Sequence, residues 1–268
     1  MPNGVKHEDI EVLPLLRLLT KGRKGTYLEI GAAWGWTGSQ TLLLEKCFNW
    51  TGILVEAHPL AFAKTQETKR HARMVHAAAC PEGTEVHVPA HPSRTGINAV
   101  LELTTDSYLK NQRSTLNVRQ NDTIAVPCRE VRNIVKEAGL EGLDYISVDV
   151  QGAELEVLQT CDLSTLKVVM VEAEARSTGV DKVKKVSQML RGAGLKQLPL
   201  TLHRKYDYAY NELWVQPGVV DARPWHADRD TAAATHELFA ELQQKLAGPD
   251  PRMNKIVQGF AAVHHLYA

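Results

Sequence analysis

Two short apolar runs, Tyr27–Ile30 and Ile53–Glu56, bracket a glycine-bearing segment and a stretch with helical spacing. Gly31 stops the first run, and from Gly38 the apolar positions fall four apart, Leu43 to Cys47 and Leu44 to Phe48. Pro59 ends the second run. The pattern predicts strand, glycine turn, helix and parallel strand, which is one half of a nucleotide-binding unit. In that unit the ligand sits beyond the carboxyl ends of the strands. Each strand carries a carboxylate near that end, Glu29 in the first and Glu56 in the second.

The same period analysis extends along the chain. Residues 9–20 show helical spacing interrupted by Pro14, expected to cover one edge of the sheet, and Lys21–Lys24 is a basic connector. A polar-faced helix is expected at 60–71 and a third strand at Ala72–Ala79, with the loss of alternation typical of strands buried on both faces. Residues 84–125 alternate at Val86 and Val88 and then turn polar. A connection of this length implies a functional flap or an extra hairpin. A helix at Val131–Ala138 ends at Gly139, and strands follow at Tyr145–Val150 and Lys167–Glu174. After a helix at 180–192, Leu195–Leu200 and Tyr206–Val215 read as a terminal antiparallel pair. Thr231–Leu246 is amphipathic, with Leu238, Leu242 and Leu246 on one stripe. The organisation expected is a helical cover at 1–24, an α/β domain at 25–217 and a helical extension at 218–268, the last suited to oligomer contact or a lid.

Composition narrows the partners. Lys+Arg and Asp+Glu both number 31 in 268 residues, so no charge excess draws the chain to nucleic acid or anionic membrane. No apolar run reaches the length of a membrane span, and the start, MPNGVKHEDIEVL, lacks the basic-then-apolar order of a signal peptide. Cys47, Cys80, Cys128 and Cys161 form no CxxC pair, and the expectation is four reduced thiols in a cytoplasmic protein.

The acids separate two cofactor types. Glu56 can accept hydrogen bonds from both ribose hydroxyls of NAD or S-adenosylmethionine alike. Glu29, two residues before the first glycine, suits pairing with a cationic amino group, which S-adenosylmethionine has and NAD lacks there. The spacing Gly31-Ala-Ala-Trp-Gly35 also departs from GxGxxG, and S-adenosylmethionine carries no phosphate that would demand more glycines.

These residues resemble the FkbM family of S-adenosylmethionine-dependent O-methyltransferases. A branch of it reads GxxxSxTxxLEKxxxWxGILVEPxP, matched by Gly35, Ser39, Thr41, Leu44-Glu45-Lys46, Trp50 and Gly52-Ile53-Leu54-Val55-Glu56, with Ala57-His58-Pro59 at the end. A second stretch, Leu143-Asp144-Tyr145-Ile146-Ser147-Val148-Asp149-Val150-Gln151-Gly152-Ala153-Glu154, is similar to the family's iDflkiDvEGaE. The resemblance covers roughly 25–215. It implies a Rossmann-like class I methyltransferase fold with a mostly parallel seven-stranded sheet. It also implies a cofactor cradle of Glu29, Gly31, Ala32, Gly35, Ser39, Glu56, Ala57, Ala78 and Asp149, with Ala78-Ala79-Cys80 bordering the adenine.

Methyl transfer from a sulfonium needs an aligned acceptor oxygen and somewhere for one proton to go. Asp149, ending a central strand, is either that group or a cap for the next helix; Glu154 is either functional or a first-turn acid favoured by the helix dipole. Glu172 and Glu174 share a strand face and, with Asp149, offer hard oxygen ligands for a divalent metal such as Mg2+; the alternative is ion pairing with neighbouring cations. Glu174 and His203 complete the candidate catalytic set. Two other functions stay open: an NAD-dependent oxidoreductase, which lacks an evident Tyr-x-x-x-Lys proton donor here, and an inactive cofactor-binding assembly module. Nucleic-acid methylation is disfavoured by the absence of an Asn-Pro-Pro-aromatic motif and by the balanced charge. The resemblance implies as acceptor a hydroxyl of a small molecule, a sugar or a secondary metabolite.

Overall fold

In the computed structural model, residues 8–90, 99–110, 122–198, 200, 211–219, 240–242 and 244 are described. The alternating unit appears as expected: strand β1 (Thr26–Ile30), helix α2 (Leu42–Phe48), strand β2 (Thr51–Glu56), helix α3 (Pro59–Glu67) and strand β3 (Arg73–His76), preceded by α1 (Glu8–Thr20). Local chemistry sets the boundaries. Asn49 closes α2 in the left-handed conformation, φ 54°. His58 caps α3 by accepting from the Leu60 amide through Nδ1, with Pro59 just inside the start. The other ring nitrogen lies 2.9 Å from the Pro89 carbonyl, so this buried histidine is the Nε2–H tautomer donating there.

The chain then builds β4 (Ala78–Ala79), β5 (Glu85–Pro89) and β6 (Thr123–Arg129), which form a separate sheet in the order β4-β6-β5. The long segment after the third strand therefore holds the extra hairpin: β5 and β6 pair antiparallel, Val86 opposite Val126. One expectation is corrected here. The strand expected at Ala72–Ala79 breaks at Ala77, and β4 leaves the main sheet to pair with β6. Strand β6 runs almost directly into α4 (Val131–Glu137).

The main sheet resumes with β7 (Leu143–Val148), α5 (Glu154–Gln159), a 3-10 turn, β8 (Leu166–Glu172), α6 (Ala175–Thr178), α7 (Val180–Gly192), β9 (Lys196–Leu198) and β10 (Asn211–Val215). Its order is β3-β2-β1-β7-β8-β10-β9, with β10 antiparallel to β8 and to β9. The chain winds outward from β1 to β3 and then returns to β7 on the other side of β1. The strand direction of travel reverses at the β1–β7 pair, the place where open α/β sheets bind ligands.

Both faces of the sheet are apolar. Tyr27, Leu54, Tyr145, Val168, Met170 and Leu213 pack on α1 and α2, while Leu28, Ile53, Ile146, Val169 and Val171 pack under α4, α5 and α7. Helix α1 thus lies on the sheet's face through Val12, Leu13, Leu15 and Leu16, not along an edge, because its apolar stripe meets central strands. Of the C-terminal extension, Leu242 is buried in this same cluster and Glu241 pairs with Arg17 of α1 at 3.1 Å; most of its amphipathic helix lies outside the described residues. At the opposite end of the sheet from the crevice, buried Asp144 accepts from Arg23, Lys167 and the Thr26 amide, tying β7 to the strands on either side.

The four-thiol expectation is corrected. Cys80 and Cys128 form a disulfide across 48 residues, and only Cys47 and Cys161 are free. The β4–β6 pairing sets Ala78 opposite Cys128 and brings Cys80 alongside, which no CxxC spacing could signal. The pair removes the ground for reading a reducing compartment from the cysteines. Burial pushes the Cys161 thiol up to about 12, so it stays protonated and inert. Among the described residues no helix is long and apolar enough to cross a membrane.

These thiols give a direct check. Titration with a thiol reagent in denaturant without reductant should find two reactive cysteines, not four. Cys80→Ser should cost about 2–4 kcal/mol in urea unfolding. Four reactive thiols in the freshly purified protein would refute the pairing.

Candidate functional site

The crevice opens at the carboxyl ends of β1, β2 and β7. Immediately after β1, Gly31 adopts φ 86°, and a Cβ built there would stand 1.9 Å from the Asp149 carbonyl oxygen. Glycine is required because the turn after β1 lies directly against the end of β7, closing the gap through which a side chain would pass. The Asp149 amide donates to the Ile30 carbonyl, which fixes the two strand ends together. Ala32 is fully buried and its amide donates to Val55, so the turn is also tied to β2.

Beneath the turn lies a charged network with no counterpart elsewhere among the described residues. Arg70, fully buried, spends all five N–H donors: Nε on Glu45 at 3.0 Å, Nη1 on the Gly35 carbonyl at 3.1 Å and Ser39 Oγ at 2.6 Å, Nη2 on Tyr27 Oη and Thr41 Oγ1 at 3.0 Å each. Glu29 sits in the same network. Its carboxylate accepts from Ser39 Oγ at 2.8 Å, the Gln40 amide at 2.8 Å and Thr41 Oγ1, with Arg70 Nη1 at 3.7 Å. Burial raises the Glu29 pKa against the opposing pull of Arg70 and those hydrogen bonds. Burial likewise pushes the Tyr27 phenol up, so it remains the donor to Glu45 at 2.7 Å.

Glu29 was expected to meet a cationic amino group of the ligand. Its cation is Arg70, and its remaining oxygen valence is taken by the turn's own hydroxyls and amide. Ser39, expected to touch the cofactor, is fully buried and faces Glu29 and Arg70. Both residues shape the turn from below.

Glu56 stands at the crevice with 6% of its surface exposed. One oxygen accepts from the Ala33 amide in the glycine turn at 2.7 Å, the other from the His58 amide at the start of α3 at 2.8 Å. Burial pushes its pKa up to about 7, opposed by these amides and reinforced by the charge of Glu29. Ala57 follows it, and Ala78 is buried in the small sheet beside the disulfide.

Across the crevice, Asp149 follows β7. Its Oδ1 accepts from Gln151 Nε2 at 2.7 Å, and the same nitrogen donates to Glu172 Oε2 at 2.8 Å. Gln151 itself sits in the left-handed region, φ 57°. The cap expected of Asp149 is made instead by Glu154, fully buried, which accepts from the Val150 and Gly152 amides and from Thr178 Oγ1. That resolves Glu154 as a structural acid at the start of α5.

Glu172 and Glu174 do not share a strand face: β8 ends at Glu172, and Glu174 stands at the N-cap position before α6. A neutral amide lies between Asp149 and Glu172, and among the described residues no group of three or more His, Cys, Asp or Glu is arranged to hold a metal ion. The expected three-carboxylate set therefore does not fit a divalent cation, and no metal step is derived from it. His203 lies outside the described residues. Arg70, Tyr108 and Gln151 were missed in the sequence. In the sequence Arg70 looks like one more solvated helix-end cation, and Gln151 looks like an ordinary member of the 143–154 motif.

Strand order and crevice define a Rossmann-like protein of the class I methyltransferase type. The profile of the methyltransferase FkbM domain matches residues 29–207, more than half of the chain. The chain belongs to the FkbM methyltransferase family. No curated protein matched at the sequence level. Among solved structures, the methyltransferase FkbM from Methylobacillus flagellatus KT is similar with 13% identity and a TM-score of 0.44, over 72% of this chain and 43% of that one. This chain therefore spans under half of that relative's length. Human methyltransferase-like protein 13 in complex with SAH gives 15% identity and 0.45, covering 87% and 91%. The O-methyltransferase from Bacillus cereus in complex with SAH gives 12% and 0.38, covering 79% and 81%.

Removing the guanidinium leaves Glu29 buried without its cation and Glu45 with only Lys46, 3.6 Å away. Arg70→Met should therefore lower stability by about 3–5 kcal/mol in urea unfolding. A loss under about 1 kcal/mol would show that the network carries little of the fold.

Proposed function

We propose that this chain is an S-adenosylmethionine-dependent O-methyltransferase whose acceptor is a hydroxyl of a small molecule, a sugar or a secondary metabolite. The observation that carries the cofactor assignment is Glu56. A carboxylate offers about four acceptor positions, more than the Ala33 and His58 amides use, and it stands at the end of β2 where ribose hydroxyls bind in this fold. The residues present fit such a group: Gly31, Ala32 and Gly35 would border its amino-acid end, Glu56 and Ala57 its ribose, and Ala78 its adenine. When bound, S-adenosylmethionine supplies an already activated methyl group.

The chain's own part is then modest. The glycine turn, held rigid by Arg70, keeps the crevice in one shape, so little ordering is needed on binding. Asp149 lies beside that turn and accepts the acceptor hydroxyl's proton. Glu172, bridged to it by Gln151, lies on the same side and orients the acceptor. The balanced charge, 31 basic against 31 acidic residues, favours a small acceptor over nucleic acid.

Isothermal titration with S-adenosylmethionine, S-adenosylhomocysteine and NADH tests the cofactor. Both sulfur ligands should bind, and Glu56→Ala should weaken them roughly 10–100-fold, the worth of hydrogen bonds to a charged group. Binding of NADH alone would overturn the proposal.

The raised pKa adds a sign. Ribose hydroxyls donate to the ionised carboxylate, which dominates above about 7 and is the minor form below it. Affinity should accordingly fall about tenfold from pH 8 to pH 6, and Glu56→Gln should flatten that dependence. An unchanged slope in Glu56→Gln would assign the titration to another group. For the O-methyl assignment, release of S-adenosylhomocysteine should depend on added methyl glycosides or phenols, with the product carrying a new methyl ether by mass spectrometry.

A further inference from the structure

The amide of Gln151 is an unusual junction. Its nitrogen donates one N–H to Asp149 Oδ1 at 2.7 Å and the other to Glu172 Oε2 at 2.8 Å, and its oxygen accepts from Tyr108 Oη at 2.6 Å. These contacts assign the amide's orientation without ambiguity, because a flip would face oxygen to two carboxylates and nitrogen to a hydroxyl donor. An Arg or Lys in this place would neutralise the carboxylates. An amide holds them in place while leaving their charge.

Tyr108 belongs to the segment 99–110, between β5 and β6 of the small sheet, and it is 5% exposed. That segment is seated firmly on the loop after β7. Lys182 Nζ donates to the carbonyls of Leu103 at 2.8 Å and Gly152 at 3.2 Å, and Thr104 Oγ1 and the Thr105 amide both donate to the Ser177 carbonyl. The approach is close enough that a Cβ on Gly152 would lie 2.8 Å from Thr104 Cα. The inserted segment therefore reaches the crevice carboxylates through a chain of contacts, Tyr108 to Gln151 to Asp149 and Glu172.

We propose that Gln151 is the positioning residue of the acceptor end of the site, holding the Asp149 and Glu172 carboxylates toward the transferring methyl with Tyr108 locking its amide. This rests on the methyltransferase reading. In that reaction the acceptor oxygen bonds to the methyl carbon, the carbon–sulfur bond breaks with its electron pair left on sulfur, and the hydroxyl proton passes to Asp149. Gln151 touches none of the reacting atoms. Its effect is to fix where the negative charge stands, which is worth most when set before the ligand arrives.

Sinefungin tests this without an acceptor, because a carbon replaces its sulfur and an ammonium group on that carbon replaces the methyl, which places a cation where the methyl is transferred. Titration calorimetry of the whole chain should show sinefungin binding at least about tenfold tighter than S-adenosylhomocysteine. Gln151→Met should cut that ratio roughly tenfold, with S-adenosylhomocysteine affinity held within about threefold. Tyr108→Phe, which removes one oxygen and carries the test if Gln151→Met does not fold, should cut the ratio about threefold.

A ratio unchanged in Gln151→Met and Tyr108→Phe, an equal loss for both ligands, or no preference for sinefungin in the wild type would each overturn the positioning role. A wild-type protein that binds neither ligand would instead overturn the cofactor assignment, a failure visible before any variant is made.

Discussion

One buried guanidinium holds the ligand end of this protein together. Arg70 lies between the chain leaving α3 and the glycine turn, and its five donors reach β1, the turn and α2 at once. Desolvating a guanidinium and two carboxylates is costly, so the network stands only because nearly every donor and acceptor in it is used. Such an arrangement is poor value as a source of stability. Its worth lies in specificity: a hydrophobic plug would tolerate several conformations of the turn, whereas five directed bonds accept one. The glycine turn is thus preorganised by the protein, and the ligand need not order it.

The sheet supplies the second constraint. With apolar side chains on both faces, its strands have only their ends available for chemistry, and the reversal between β1 and β7 separates two of those ends into a crevice. The two sides of the crevice differ in character. On the β2 side, Glu56 is held by backbone amides from two turns and titrates near neutrality. On the β7–β8 side, Asp149 and Glu172 are joined by a side-chain amide that is itself held from the inserted segment. The β2 side is therefore built from the core fold, and the β7–β8 side borrows from an insertion.

The small sheet belongs to the insertion. Its disulfide joins β4 to β6 next to Ala78, so the insertion and the strand end that follows β3 are covalently one piece. The hairpin, the segment 99–110 and the Lys182 contacts make a continuous mount for Tyr108.

What the sequence by itself determined was whatever depends on neighbours in the chain. The strand–turn–helix–strand unit, the glycine positions, Glu56 at its strand end and the terminal antiparallel pair all follow from apolar period, turn residues and caps, which act over a few residues; between a flap and an extra hairpin at 84–125 the sequence did not choose. Family resemblance added the cofactor by matching those same local motifs. Only the tertiary structure decided which partner each polar group would find. Arg70 meets Tyr27 across 43 residues, Tyr108 meets Gln151 across 43, and Cys80 meets Cys128 across 48. Hence Glu29 looked like a ligand acid and proved to be the counter-ion of an arginine, and Glu174 left the strand face it appeared to share with Glu172. A side chain's charge is written in its own residue. Its partner is set by how the sheet stacks distant segments, and a buried charge takes the nearest satisfied geometry, whatever lies beside it in sequence.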